Sequence, residues 1–85
     1  MQTTTEILHA MASEDGYIEV LRSSIGSYTT VCRADGTAMF AGDLPRDMLD
    51  DMLKANFVSQ DGPENGKKIT TFRLTDDGRA LGKQA

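Results

Sequence analysis

Two side chains in this sequence are suited to nucleophilic or acid–base chemistry near neutral pH, His9 and Cys32, and each type occurs once. A nucleophile needs a neighbouring base, and the base needs a group to orient it. His9 lies between Ile7 and Met11 in a run with helical period, so it is expected on a helix surface, half exposed or hydrogen-bonded. Cys32 lies in the strand-like run from Tyr28 to Arg33, where a lone cysteine packs as a small hydrophobe. One histidine and one cysteine do not make a metal cluster, so no metal or other cofactor is expected. The glycines of Asp61 to Gly66 lack the Gly-Lys-Ser/Thr of a phosphate loop. The chain is therefore read as a binding protein, not an enzyme.

The charged residues suggest where binding would occur. Asp47, Asp50 and Asp51 fall on one side of a helix, with Lys54 beside them. They lack the alternating ligands, glycine and closing glutamate of a calcium loop. Three like charges close together repel one another, and a basic protein partner would relieve that. The expected protein-binding residues are thus Asp47, Asp50, Asp51 and Lys54. The alternative is a nucleic-acid surface. Arg46, Lys54 and Asn56 would enter a groove, and Lys67, Lys68 and Arg73 would contact the backbone. Acidic charge disfavours it: residues 1–58 carry nine acids against four bases, and only residues 59–85 lean basic, with five bases against four acids.

These residues must be positioned by a small fold. Eighty-five residues make one domain, 1–85, with a stability on the order of 5 kcal/mol. A single cysteine fits a reducing compartment, and the first residues lack the basic and apolar regions of a signal peptide, so a cytoplasmic location is expected. No apolar run is long enough for a membrane span, and no membrane partner is expected. Thr3 and Glu6 stand at capping-box spacing ahead of Ile7, Leu8, Met11 and Ala12, which predicts a helix over 4–13 closed by Gly16. Residues 17–41 predict a three-stranded antiparallel meander: a strand around Ile18 to Leu21, a turn at Ser23 to Ser27, a strand from Tyr28, an Asp35-Gly36 turn and a return over Thr37 to Ala41. Pro45 marks the first turn of a second helix, capped by Asp43 or Leu44, with Met48, Leu49, Met52, Leu53 and Phe57 on its apolar face. A loop over 59–66, a strand over 67–74 and a short helix capped by Thr75 complete the chain.

The run from Leu44 to Val58, followed by a loop and then Ile69-Thr70-Thr71-Phe72-Arg73-Leu74-Thr75-Asp76-Asp77-Gly78-Arg79-Ala80-Leu81, resembles the second half of winged-helix proteins. There a helix runs into a hairpin wing whose return strand reads like "YRLTEKGREAL". The first half departs from that pattern, with one helix and a meander where two helices would stand. Leu8-His9 and Val31-Cys32-Arg33-Ala34-Asp35-Gly36 are similar to features of the small YjhX toxin-like bacterial family, whose corresponding helix is basic where this one carries Asp47, Asp50 and Asp51. The resemblance implies an α+β, winged-helix-like domain with an amino-terminal helix, a meander, an amphipathic helix, a carboxyl-terminal wing and a short helix. The leading functional expectation is a small acidic bacterial or phage-type regulator or inhibitor that occludes a host protein. A DNA-binding transcriptional regulator and the toxin of a toxin–antitoxin pair are the alternatives. Open sheet edges in so small a chain also allow a homodimer.

Overall fold

The computed structural model describes residues 3–40, 43–62 and 68–84. Helix α1 spans Thr4–Glu14 and begins with the expected reciprocal cap: the Thr3 hydroxyl accepts from Glu6 N–H, and the Glu6 carboxylate accepts from Thr3 N–H. It ends at Asp15, which adopts a left-handed conformation and returns its N–H to Met11. Gly16 is required for a different reason than helix termination. A Cβ there would lie 2.6 Å from the Cys32 carbonyl oxygen and 2.3 Å from the Met39 methyl.

Strand β1 (Tyr17–Ser23) turns through Ser24 and Ile25 into β2 (Gly26–Cys32). Helix α2 (Arg46–Lys54) leads into β3 (Val58–Gln60), β4 (Ile69–Leu74) and α3 (Asp76–Gln84). The four strands form one antiparallel sheet in the order β2-β1-β4-β3. The described residues therefore form a small α+β domain with three helices over one four-stranded sheet.

The meander is corrected. Over its described residues the third strand does not form; Ala38 makes a single bridge to Cys32, and β2 is left at the edge of the sheet. Asp35 and Gly36 do turn the chain, with Gly36 at φ 93° and the Asp35 carboxylate accepting from Thr37 N–H and Oγ1–H. The Ala38 carbonyl then accepts from the Arg33 guanidinium, and Met39 turns in against the core. A strand needs a row of partners, and beyond this bridge and the Met39 N–H to Val31 O bond the outer edge of β2 is taken by Asp43 and Leu44. Ala41 and Lys67, the ends of two expected strands, lie outside the described residues.

The cap of α2 is corrected as well. Pro45 itself is the N-cap residue, extended at ψ 133°, and no side chain caps the helix. Asp43 instead accepts from Thr29 N–H on the outer edge of β2, and Leu44 N–H donates to Thr29 O. Met39 N–H donates to Val31 O on the same edge. Thr75 caps α3 as expected, accepting from Gly78 N–H.

All three helices lie on one face of the sheet. Ile7, Leu8 and Met11 of α1 and Leu49 and Met52 of α2 are buried against Ile18, Val20, Val31, Val58 and Phe72, with Leu81 of α3 packed beside them. Helix α3 lies close to its neighbours because Gly78 and Gly82 stand on its inner face. A Cβ on Gly78 would sit 1.9 Å from the Phe57 carbonyl oxygen, and one on Gly82 would sit 2.5 Å from that of Leu8. The His9 ring adds a bond between the helices, Nδ1 to Gly82 O at 2.9 Å. No helix among the described residues is long and apolar enough to cross a membrane.

Two substitutions test this packing. Gly78→Ala forces backbone apart and is expected to destabilise by about 3 kcal/mol, read from the urea midpoint. The Thr70 hydroxyl is buried with no hydrogen-bond partner among the described residues. Thr70→Val keeps the shape, removes that polar group and is expected to stabilise by about 1 kcal/mol in the same assay.

Candidate functional site

The groups capable of chemistry are held apart by the fold. His9 is tied to the carboxyl-terminal turn of α3. Cys32 follows Val31, so its side chain takes the face of the sheet opposite the helices, paired with Tyr17. The thiol is buried, and burial pushes its pKa up, reinforced by the charge of Glu19 and partly offset by a hydrogen bond with Tyr17. Burial, then Cys32 and Glu19, raise the Tyr17 hydroxyl too, against the lowering effect of Arg73. A thiol kept protonated is a poor nucleophile. No cluster of three His, Cys, Asp or Glu able to hold a metal ion occurs among the described residues.

The outward side of α2 gathers the expected protein-binding residues. Leu49 and Met52 are fully buried, which fixes the rotation of the helix and turns Asp47, Asp50, Asp51 and Lys54 away from the core. Arg46 Nε lies 3.5 Å from Asp50 Oδ1, one turn along, so that carboxylate is neutralised locally. Asp47 and Asp51, also one turn apart, are exposed and make no ion pair among the described residues. Lys54 stands exposed in the last turn, where a cation suits the helix dipole.

The nucleic-acid set is divided. Arg46 is engaged by Asp50. Asn56 is exposed but left-handed at φ 62°, with its carbonyl accepting from the Thr75 hydroxyl. Arg73 lies on the sheet face away from α2, with its Nε 2.7 Å from Asp61 Oδ2 and its guanidinium 5.2 Å from the Tyr17 ring centre. The sheet thus separates Arg73 from Arg46, Lys54 and Asn56. Lys68 is exposed at the start of β4, and Lys67 lies outside the described residues.

One surface was not singled out from the sequence. Leu21, Tyr28 and Ile69 sit directly opposite one another on three adjacent strands, on the face without helices. Leu21 is 38% and Tyr28 52% exposed, and Ile25 at the hairpin tip is 85% exposed. The signal was present in the strand period: if Ile18 and Val20 point inward, Leu21 points outward.

The thiol and phenol give a pH prediction. A folded pKa above the unfolded one stabilises below the unfolded value and loses that contribution as pH rises through the folded value. Stability is expected to fall as pH rises past about 8.5, and Cys32→Ala is expected to flatten the onset of that fall. Alkylation of Cys32 should be slow in the native protein and fast in urea. Comparison of the chain with family models, curated proteins and solved structures finds no match.

Proposed function

We propose that this protein is a non-catalytic interaction module, a cytoplasmic regulator or inhibitor of bacterial or phage type that occludes a basic surface on a partner protein. The observation that supports this reading is the α2 surface. Two exposed carboxylates, Asp47 and Asp51, stand one turn apart with no ion pair among the described residues, on a helix pinned to the core. A rigid helix presents charge at low entropic cost, so a complementary partner gains steering and register from it. Asp50 and Lys54 flank the pair and complete the surface.

A second reading is a winged-helix DNA binder. It draws on one feature: α2 runs directly into the antiparallel pair β3–β4, and β4 is flanked by β1. Lys68, at the start of β4, would contact phosphate in that arrangement.

The experiment is capture from bacterial lysate, with and without nuclease, by the wild type and by an Asp47→Asn/Asp51→Asn variant. The expected result is a stoichiometric protein held by the wild type and at least tenfold weaker on the variant. Equal capture by both overturns the α2 surface. Retention that depends on nucleic acid, and that drops steeply between about 50 and 200 mM salt, would favour the DNA reading instead.

A further inference from the structure

Four aspartates in this chain stand directly before a glycine: Asp15–Gly16, Asp35–Gly36, Asp61–Gly62 and Asp77–Gly78. At such a step the backbone can rearrange without an enzyme, because glycine has no Cβ to keep its nitrogen from the preceding carboxyl. The nitrogen must rotate toward that carboxyl, so a fold that holds either group suppresses the reaction. Three of the four glycine N–H groups are held. Gly16 N–H donates to Met11 O at 2.9 Å, Gly36 N–H to Arg33 O at 2.9 Å, and Gly78 N–H to the Thr75 hydroxyl at 3.1 Å. Gly16 and Gly78 are also packed against backbone, and the Asp35 carboxylate accepts from Thr37 N–H and Oγ1–H.

Gly62 differs. Its N–H makes no hydrogen bond among the described residues, its φ is 81°, and a Cβ built on it would meet nothing within 4 Å. Only the carboxylate of this step is restrained, by Arg73, whose Nε lies 2.7 Å from Asp61 Oδ2. Both side chains are about half exposed, so solvent reaches the step. We propose that Asp61–Gly62 is the site of spontaneous aspartate isomerisation in this chain, and that Arg73 is the positioning residue that slows it.

The reaction needs only water. Gly62 N attacks Asp61 Cγ, a C–N bond forms, and one carboxyl oxygen leaves as water with the amide proton and the acid proton. The product is a cyclic imide. Water then adds at the Asp61 backbone carbonyl carbon and breaks its bond to Gly62 N. The chain now runs through Cγ, one carbon longer, and the former backbone carbonyl has become the free carboxylate. One water leaves and one returns, so the mass is unchanged. Asp61 N–H donates to Thr71 O at 2.7 Å, so the extra carbon enters where β3 and β4 cease to pair. The relocated carboxylate no longer matches Arg73, which keeps its contact with the Tyr17 ring.

The test is ageing of the full chain in warm, mildly acidic buffer, followed by peptide mapping that separates aspartate from isoaspartate. Asn65→Gln is carried throughout, so that the nearby asparagine–glycine step adds no signal. Isoaspartate is expected to form at Asp61 at least tenfold faster than at Asp15, Asp35 or Asp77. In urea, where the fold holds none of them, the four rates should converge. Gly62→Ala should slow the reaction at Asp61 at least tenfold. Arg73→Gln should speed Asp61 several-fold and leave the other three rates unchanged, whereas a general loosening of the fold would speed all four. An Asp61 rate in the folded protein no higher than that of the other three overturns the proposal, as does indifference to Gly62→Ala. An Asp61 rate unmoved by Arg73→Gln, or a rise shared by all four, overturns the role of Arg73.

Discussion

The contact on which the rest of the molecule depends is backbone against backbone. Gly78 and Gly82 let α3 lie directly on the carbonyls of Phe57 and Leu8, with no side chain between them. Phe57 begins the approach to β3, and Leu8 is central to α1, so two glycines fix the end of the sheet to both ends of the chain. The Thr75 hydroxyl links the same region, donating to Asn56 O and accepting from Gly78 N–H. Close approach then allows the His9 ring to reach the Gly82 carbonyl. A small core gains from this, since every tenth of an ångström of separation forfeits dispersion contacts across the interface.

With the helices gathered on one face, the two sides of the sheet acquire different chemistry. The covered side is apolar except for Thr29 and Thr70. The open side mixes an ion pair, a stacked arginine, a protected thiol and an apolar row. The exposed surfaces consequently divide as well. Helix α2 presents carboxylates outward on one side, and the hairpin presents aliphatic and aromatic surface on the other.

Local rules made much of the fold legible. The Thr3–Glu6 box, the apolar period of α2 and the Thr75 cap each depend on residues within one or two turns, and each was read correctly from sequence. The misread elements depended on distant partners. Thr37 to Ala41 has strand composition, but the outer edge of β2 that it would line is met at Thr29 by Asp43 and Leu44, contacts that composition cannot express. Asp43 has the chemistry of a helix cap, yet the nearest unsatisfied donor was Thr29 N–H on a neighbouring strand. Pro45 itself took the cap position, because its fixed φ suits the extended entry. The residues of the α2 surface were legible from helical spacing alone. Their pairing was not: that Asp50 is matched by Arg46 while Arg73 turns to Asp61 depends on side-chain reach in three dimensions.

The position of β1 also governs the order in which the molecule is completed. Its pairing with β2 closes through a two-residue turn and needs nothing beyond Cys32. Its other edge waits for β4, with Tyr17 finally opposite Arg73. On the ribosome, the β1–β2 hairpin is therefore made early while its inner edge and the apolar face of α1 stay uncovered until β4 and α3 have emerged. Long-range closure of this kind is slow relative to local hairpin formation. β4 with α3 is thus the piece that turns a hairpin and loose helix into a folded domain.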